Sequence, residues 1–343
     1  MMRVAHIMAG AVHGGAELFF ERLCLAQQDA GDAVLALIRR DPAREARLRA
    51  GGVRTEAFRF GGPLDLLTRP RLGRALRPFA PRVAVAWMSR ANQFAPTGPW
   101  ALVGRLGGYY PLRHYRRCDH LVGNTHGIVA WLRRQGWAEE RSHYLPNFVS
   151  DFAAAAPATD LPRGAGPLLL GLGRLHRDKG FDVAIRALAA LPGATLALAG
   201  EGPERGALEA LARAAGVAER VRFLGWRHDA GALLRAADLF VCSSRVEPLG
   251  NMVIEAWSAG CPLVAADADG PAELLADGAE GVLVAREDPD ALAAGITALL
   301  ADPRRRAACV AAGRARYERE FATAPVLARW RAFLDSVGKP GPA

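Results

Sequence analysis

The chain has 343 residues, of which 51% are hydrophobic and 23% are charged, a composition typical of a globular protein with room for two ordinary domains. No stretch approaches ~18 uncharged apolar residues, so the sequence predicts no membrane-spanning helix. The five cysteines are scattered without a Cys-x-x-Cys pair, which argues against a structural zinc site and favours a reducing, cytoplasmic compartment.

The positive charge is concentrated in the first half of the chain. Residues 1–160 contain 22 arginines and 13 acidic residues, which accounts for the whole formal net charge of +9. This basic first half predicts an anionic partner, which would be a nucleic acid, a membrane surface or a phosphorylated acceptor. Nucleic acid is the weakest of these options, because no binding motif and no basic-aromatic repeat is present.

The N-terminal stretch predicts a strand, a glycine turn and a helix. The strand covers Val4 to Met8, and the helix after Gly14-Gly15-Ala16-Glu17 runs to about Ala30. A signal peptide is disfavoured, since the short apolar run leads directly into the turn. The turn is not G-x-G-x-x-G, which disfavours NAD binding, but its glycines let backbone amides approach a phosphate or a sugar.

A short basic segment, Arg69–Phe79, is amphipathic. Leu72, Leu76 and Phe79 fall roughly on one side of it. This pattern is typical of an ordinary surface helix and equally of a segment that rests on an anionic membrane surface, so both interpretations stay open.

Further strands are predicted at 83–87, 101–104 and 120–123. Asn124 or Thr125 then caps a helix. An Ala-, Gly- and Pro-rich stretch follows and predicts a hinge.

That stretch sets the predicted domain boundaries. The first domain is 1–161, the linker is 162–167, and the second domain is 168–322. Residues 323–343 are expected to form a C-terminal helix that crosses back to the first domain, followed by a tail.

The second domain opens with a buried strand and a loop suited to phosphate. Gly173, Arg174 and Lys179 follow the strand, and together they offer close backbone approach and cations. The chain has only two lysines, Lys179 and Lys339, among 44 basic residues. A lysine kept in this loop by an arginine-rich chain indicates that a compact ammonium group is required there.

The stretch from Leu239 to Val264 reads as strand, polar loop, helix and strand. In a parallel sheet, the loop after a strand and the N-terminus of the next helix form a ligand crevice. Glu247 lies in the loop and Glu255 in the helix. Between them, three residues are expected to offer free backbone amides at the positive end of the helix dipole: Leu249, Gly250 and Asn251. Two carboxylates beside an anion site suit a ligand with hydroxyls at both ends and phosphates between them, such as a nucleotide-sugar.

Asp267-Ala268-Asp269 forms a D-x-D sequence. In the absence of other candidate ligands, we interpret these aspartates as loop and capping residues rather than a metal site.

The spacing Glu247-x7-Glu255 resembles the signature of the retaining glycosyltransferases of family 4. Other segments resemble that family's sequence blocks in the family's order, and the resemblance covers nearly all of 167–320 and, more loosely, the first 150 residues. These segments are 168–188, 196–205, 221–229 and 269–284. The resemblance implies an α/β protein of the GT-B fold, with two Rossmann-like domains facing a central cleft.

The resemblance also implies roles for individual residues. Glu247 would contact the donor sugar, Glu255 the nucleotide ribose, and Arg174 with Lys179 the diphosphate, so that Glu247, Arg174 and Lys179 are the predicted catalytic residues. The predicted donor-binding residues are Gly14, Gly15, Glu17, Gly173, Arg174, Lys179, Glu201, Gly225, Glu247, Leu249, Gly250, Asn251 and Glu255.

The sequence departs from the family at one position. Many relatives carry a histidine after the strand that corresponds to 101–104, whereas Arg105-Leu106-Gly107-Gly108 stands here. No acceptor-activating base is therefore assigned, and His126 is more often a solvated helix residue than a catalytic one. The segment looks closer to bacterial lipopolysaccharide and surface-polysaccharide members.

These features predict a retaining glycosyltransferase that moves a sugar from a nucleotide-sugar donor to an anionic lipid-linked or glycan acceptor. We expect no cofactor, no metal and no nucleic acid, and a cytoplasmic location. Peripheral contact with the cytoplasmic face of the inner membrane through the basic first half is left open. Two alternatives are also left open: a nucleotide-sugar epimerase of the same architecture and a non-catalytic nucleotide-sugar-binding protein.

Overall fold

A computed structural model describes residues 1–11, 14–62, 64–275 and 278–339. The chain divides into two compact units. The first comprises Met1–Phe148 together with the C-terminal segment from Thr323, and the second is Val149–Ala322. Residues 340–343, which belong to the predicted tail, lie outside the described residues.

The first unit is built on a seven-stranded parallel sheet in the order β3-β2-β1-β4-β5-β6-β7. Its strands are β1 (Arg3–Met8), β2 (Ala33–Arg39), β3 (Arg54–Phe58), β4 (Val83–Trp87), β5 (Ala101–Leu106), β6 (His120–Gly123) and β7 (Ser142–Tyr144). The helices between them are α1 (Gly15–Asp29), α2 (Pro42–Ala50), α3 (Thr68–Phe79), α4 (Met88–Phe94) and α5 (His126–Arg134). Thr125 caps α5 by accepting a hydrogen bond from the Ile128 amide at 3.1 Å, which confirms one of the two predicted caps.

The second unit is built on a six-stranded parallel sheet in the order β10-β9-β8-β11-β12-β13. Its strands are β8 (Leu168–Leu172), β9 (Thr195–Ala199), β10 (Val221–Gly225), β11 (Leu239–Cys242), β12 (Leu263–Ala266) and β13 (Val282–Val284). Its helices are α6 (Phe181–Leu188), α7 (Arg205–Ala214), α8 (Ala230–Ala236), α9 (Asn251–Ala259), α10 (Asp269–Leu274), α11 (Pro289–Ala301) and α12 (Pro303–Arg316). Gly260 ends α9 in the left-handed region at φ 67°, which confirms the predicted C-cap.

Both sheets are buried on both faces, as parallel sheets require. Strand β8 is a continuous apolar run because both of its faces are buried. Leu168 and Leu170 pack into the core on one face, and Leu169 packs into the core on the other. The two parallel sheets with their helices confirm the predicted α/β class and the two Rossmann-like domains.

The last helix, α13 (Thr323–Val337), belongs to the first unit. Its Trp330 is fully buried and stacks on Trp87 of β4, with the ring centroids 6.4 Å apart and the planes 13° from parallel. This contact places α13 against the same core as α1 and β4.

The boundary between the units lies before the predicted linker. The Val149 amide donates to the Phe321 carbonyl at 3.3 Å, and the Ala158 amide donates to the Ala232 carbonyl at 2.9 Å. Residues 162–167 therefore lie inside the second unit, where Arg163 forms an ion pair with Asp238 at 3.0 Å. Small residues made this segment resemble a linker, but its backbone is hydrogen-bonded to the domain.

The apolar side of α3 faces the protein core. Leu72 and Leu76 are fully buried and Phe79 is 8% exposed, all within the first unit. This side of the helix is therefore the ordinary core-facing side, and it is not available to a membrane.

Candidate active site

The second sheet reverses its strand order between β8 and β11. These two strands are neighbours, while β9 and β12 lie on their outer sides. In open parallel sheets, ligands bind outside the carboxyl ends of the strands at such a switch point. The loop after β8 contains Gly173, Arg174 and Lys179, and the loop after β11 leads to Glu247, so the sheet brings both predicted loops to one edge.

Backbone hydrogen bonds join these two loops. The amides of Arg245 and Val246 donate to the Asp178 carbonyl at 2.7 and 3.1 Å. The Ser243 hydroxyl donates to the Lys179 carbonyl at 3.0 Å. Gly180 has φ 61°, and a Cβ atom there would lie 2.0 Å from the Ser243 carbonyl oxygen, so only glycine fits this crossing.

A paired arginine supports the same junction. Arg245 donates two hydrogen bonds of 2.7 Å to the two carboxylate oxygens of Asp182, the second residue of α6. The bonds from Arg245 hold the pKa of the Asp182 carboxyl below its usual value. This pair was missed by sequence reasoning, since its members are 63 residues apart and meet only because β8 and β11 are adjacent.

Lys179 and Glu247 are in direct contact. The Lys179 ammonium donates to Glu247 Oε2, and the two side chains are 21% and 12% exposed. The stem of Lys179 is closely surrounded, because a Cβ atom on Gly173 would lie 3.2 Å from Lys179 Cε and 3.6 Å from Met252 Sδ. Two of the three predicted catalytic residues therefore form one ion pair, while the side chain of the third, Arg174, is exposed.

The start of α9 lies beside this pair. Gly250 is its N-cap with φ 83°, and the Gly250 amide donates to Glu247 Oε1 at 3.3 Å. The expectation that the Gly250 amide is free was therefore wrong in this structure, because the Glu247 carboxylate satisfies it. Asn251 and Glu255 are four residues apart on α9 and share one side of the helix, where Glu255 is half-buried.

The loop around Leu249 is close-packed. Leu249 is 6% exposed, and a Cβ atom on Gly270 would lie 2.3 Å from the Leu249 carbonyl carbon. The Gly270 amide donates to the Glu247 carbonyl at 2.8 Å. The start of α10 thus supports the loop that carries Glu247.

Glu201 and Gly225 lie at the adjoining edge of β9 and β10. The Leu175 amide donates to the Glu201 carbonyl at 3.0 Å, which ties this edge to the loop after β8. A Cβ atom on Gly225, which has φ 70°, would lie 3.0 Å from Glu201 Oε1. The Glu201 side chain itself is exposed and faces Arg205 at 3.3 Å.

The remaining predicted donor residues, Gly14, Gly15 and Glu17, lie in the first unit at the start of α1. The Glu17 carboxylate lies inside the turn and accepts a hydrogen bond from the Ala11 amide at 2.8 Å. A Cβ atom on Gly10 or Gly14 would lie 2.1 or 2.2 Å from a Glu17 carboxylate oxygen. In this structure the glycines make room for Glu17.

Arg105 is not in a loop after β5 but within the strand, fully buried. Its guanidinium donates to Asn147 Oδ1 and lies over the rings of Trp87 and Phe19, at 4.9 and 5.4 Å from their centroids. Burial lowers the pKa of Arg105 to about 10. His126, the first residue of α5, stacks on Tyr144 with the ring centroids 3.8 Å apart.

The D-x-D aspartates have local protein roles. The Arg286 amide and its side-chain Nε donate to Asp267 Oδ1 at 2.9 and 3.1 Å, and Asp269 begins α10. Within the described ranges, no group of three or more His, Cys, Asp or Glu side chains is arranged to hold a metal ion.

Comparison with known proteins decides the family. Residues 159–316 match the family described as glycosyl transferases group 1. The lipopolysaccharide core biosynthesis glycosyltransferase LpsE of Rhizobium meliloti is 37% identical over 310 residues, covering 88% of this chain and 89% of LpsE. The chain belongs to the group 1 glycosyltransferases. LpsD of the same organism is 36% identical over 321 residues, covering 91% of this glycosyltransferase and 92% of LpsD.

Solved structures agree with the fold. Anabaena HepE in complex with UDP superposes on this glycosyltransferase with a TM-score of 0.83 at 22% identity, covering 98% of this chain and all of HepE. WaaG, a glycosyltransferase involved in lipopolysaccharide biosynthesis, has a TM-score of 0.71 at 19% identity, covering 97% of this chain and 99% of WaaG. These neighbours and the two Rossmann-like domains assign the GT-B fold. None of the described helices combines the length and apolar character needed to span a membrane.

Proposed function

We propose that this glycosyltransferase moves a sugar, with retention of anomeric configuration, from a nucleotide-sugar to a hydroxyl of an anionic acceptor in lipopolysaccharide or other surface-glycan synthesis. The relatives LpsE and LpsD, which are named for lipopolysaccharide core biosynthesis, support the acceptor class. HepE, whose fold this chain shares, has been crystallised with UDP-glucose, which supports a nucleotide-sugar donor.

The observation that carries the proposal is the Lys179–Glu247 contact at the switch point beside the N-terminus of α9. A cation and a helix N-terminus suit a diphosphate, and a carboxylate next to them suits the hydroxyls of the attached sugar. The ion pair holds both groups in position before the donor arrives, so that little rearrangement is required when it binds.

The chemistry assigned to this site is displacement of the nucleotide. The bond between the sugar C1 and the diphosphate oxygen breaks, and its electron pair stays on the departing diphosphate. Lys179, Arg174 and the start of α9 would stabilise that developing charge, which is usually the largest catalytic contribution. The acceptor oxygen forms the new bond to C1 on the same face, since no residue is assigned as a nucleophile on the opposite face. The proton of the acceptor hydroxyl passes to the departing diphosphate oxygen.

Two further parts of the proposal concern the surroundings of the reaction. The protein cations replace a divalent metal at the diphosphate, so that turnover is metal-independent. The basic first half attracts an anionic, lipid-linked acceptor at the cytoplasmic face of the inner membrane.

The test begins with a panel of UDP-, GDP- and ADP-sugars. The true donor at ~100 times its dissociation constant should raise stability by ~2.7 kcal/mol, visible as a higher melting temperature. With that donor, release of nucleotide should require a lipopolysaccharide-core acceptor, and NMR of the product should show the donor's anomeric configuration. Excess chelator should leave the rate within about threefold of the rate in magnesium, a barrier change under ~1 kcal/mol.

Several outcomes would contradict the proposal. Inversion in the product would refute retention, and a chelator loss above about tenfold would return Asp267 and Asp269 to consideration. Conversion of the donor to an epimer without acceptor would instead identify an epimerase. Tight donor binding with no turnover on any acceptor would indicate a binding protein.

A further inference from the structure

The turn before α3 exposes three leucines close together. Leu64, Leu66 and Leu67 are 94, 81 and 59% exposed. Leucine is normally among the most buried residues, and single exposed leucines are unremarkable, but three in four positions form a local apolar projection.

Hydrogen bonds to the side chain of Asp65 give this turn a defined structure. The Asp65 carboxylate accepts hydrogen bonds from the Gly61 amide at 2.7 Å, from the Thr68 hydroxyl at 2.7 Å and from the Thr68 amide at 3.0 Å. It also accepts one from the Leu67 amide at 3.3 Å. The Thr68 and Gly61 hydrogen bonds lower the pKa of Asp65 to about 2. The carboxylate thus holds a turn whose leucines face outward.

A basic face continues from this turn along α3. Arg71, Arg74 and Arg77 are exposed, opposite the side of the helix that enters the core. Leu67 has helical dihedrals, φ −93° and ψ −28°, and its carbonyl accepts the Arg71 amide at 3.2 Å. Residues four apart share a helix side, so Leu67 extends the arginine face toward the other two leucines.

The charge of this region is unbalanced. Residues 66–118 contain ten arginines and no acidic residue. Arg105 is buried, and of the other nine only Arg82 has a carboxylate partner in the described part of the chain, Asp335 at 3.3 Å. Among the described residues, Arg71, Arg74 and Arg77 have no ion pair, so these three cations are available to an external anion.

We propose that the leucine turn (residues 64–67) and the arginine face (Arg71, Arg74 and Arg77) dock the first unit on an anionic bilayer. The leucines enter the boundary between headgroups and acyl chains, and the arginines meet lipid phosphates. The proposal deepens the proposed function and rests on it, because a lipid-linked acceptor is what makes docking on a bilayer useful.

A bilayer fits this surface better than a protein or a nucleic acid does. A second copy docked through the same face would bring the two arginine sets together, which is unfavourable. Proteins usually bind single-stranded nucleic acids through aromatic side chains that stack on the bases, whereas this surface presents leucines. An anionic bilayer offers both an apolar layer for the leucines and negatively charged phosphates for the arginines.

The first test is co-sedimentation of the full chain with vesicles of phosphatidylcholine alone or mixed with phosphatidylglycerol. We expect binding to the mixed vesicles, reduced about tenfold or more in a Leu64→Ser/Leu66→Ser/Leu67→Ser variant. An Arg71→Gln/Arg74→Gln/Arg77→Gln variant should lose on the order of a hundredfold. A matched variant of three exposed arginines in the second unit, Arg213→Gln/Arg304→Gln/Arg305→Gln, should bind as the wild type does.

A second measurement separates insertion from simple charge attraction. All five native cysteines are buried, so Leu66→Cys accepts an environment-sensitive dye selectively. We expect a blue shift on mixed vesicles and quenching by brominated lipids, with neither effect for the same dye at the exposed Ala307→Cys.

Unchanged vesicle binding in the leucine variant, or a dye at position 66 that stays in water, would overturn the proposal. So would concentration-dependent dimerisation of the wild type that the leucine variant abolishes, because the turn would then be a self-association site. Nucleotide-sugar binding is measured on the same variants without vesicles and should be unchanged. Failure of the wild type to bind any nucleotide-sugar would refute the proposed function while leaving the vesicle result to stand on its own.

Discussion

At the level of single residues, the candidate site is built around the ion pair between Lys179 and Glu247. Lys179 packs closely against Gly173, where an added Cβ atom would lie 3.2 Å from Lys179 Cε, and its ammonium contacts the Glu247 carboxylate. An ammonium is a compact charge that can approach a phosphate oxygen from many directions, whereas a guanidinium is planar and needs more room. We propose that this difference is the reason why an arginine-rich chain has lysine at this position.

We therefore predict that Lys179→Arg lowers turnover by about tenfold to a thousandfold, ~1.4 to 4 kcal/mol of barrier, as for loss of one preorganised donor to a developing oxyanion. The melting temperature without ligand should change little, since Lys179 is not part of the apolar clusters of the second unit and an arginine can keep the ion pair with Glu247. The matched control is Lys339→Arg, at the chain's other lysine, which pairs with Asp119 at 3.1 Å in the first unit. Near-wild-type turnover in Lys179→Arg would show that the ammonium has no special role, and a collapse of unliganded stability would make it structural.

At the scale of elements, β1, α1, β4 and α13 meet around a buried histidine. Trp87 Nε1 donates to His6 Nδ1 at 3.1 Å, so His6 Nε2 carries the proton and donates to Gln27 Oε1 at 2.7 Å. Trp330 of α13 stacks on the same Trp87. Burial lowers the pKa of His6 to about 4, because the site favours the neutral ring.

The neutral histidine makes stability depend on pH. Its pKa is lower in the folded chain than the usual ~6.5, so the unfolded state binds more protons between these two values and stability falls as the pH drops through that window. His6 alone should make the first unit about 2 kcal/mol less stable at pH 5 than at pH 7.

Urea denaturation at the two pH values measures this effect. His6→Gln, which keeps one donor and one acceptor, should lose the share of ~2 kcal/mol that is due to His6, while His228→Gln in the second unit should keep that share. An equal pH dependence in wild type and His6→Gln would contradict the assignment.

The elements also show where sequence reasoning reaches its limit. Apolar runs and turn residues predicted the strands and the caps, because those signals are local. The site pair Lys179 and Glu247 was predictable from a motif and from lysine usage. Arg245 with Asp182 was not, because their contact depends on the adjacency of β8 and β11.

Other predictions from the sequence also differ from the structure, because they depend on contacts that the local sequence does not show. The segment 162–167 has the composition of a linker, but the Gly166 amide donates to the Gly193 carbonyl at 3.1 Å and the Thr195 amide donates to the Pro167 carbonyl at 2.9 Å, which attaches it to the second unit. The predicted strand ended at residue 104 and left Arg105 in the following loop, and only the structure shows the Trp87 and Phe19 rings that contact it inside β5. The sequence predicted that α3 is amphipathic. The exposure of the leucines before it could not be predicted, because it depends on the turn that the Asp65 carboxylate holds.

At the level of the whole molecule, the two units differ in charge, and we propose that they differ in function accordingly. The net positive charge belongs to residues 1–160, where the leucine turn and the arginine face lie, while the proposed catalytic residues Arg174, Lys179 and Glu247 belong to the second unit. In this account the first unit brings the enzyme to an anionic acceptor, and the second unit binds and activates the donor. We therefore propose that Glu247 and Glu255 hold different parts of one nucleotide-sugar.

These two roles are tested by steady-state kinetics of Glu247→Gln and Glu255→Gln with the identified donor. Glu255 is assigned to the ribose, which does not react, so its variant should raise the donor KM and leave kcat nearly unchanged. Glu247 is assigned to the reacting sugar, so its variant should mainly lower kcat, while Glu219→Gln, at an exposed carboxylate of the same unit, should change neither. The reverse pattern would show that the two carboxylates are assigned the wrong way round, and wild-type kinetics in both variants would contradict the site itself.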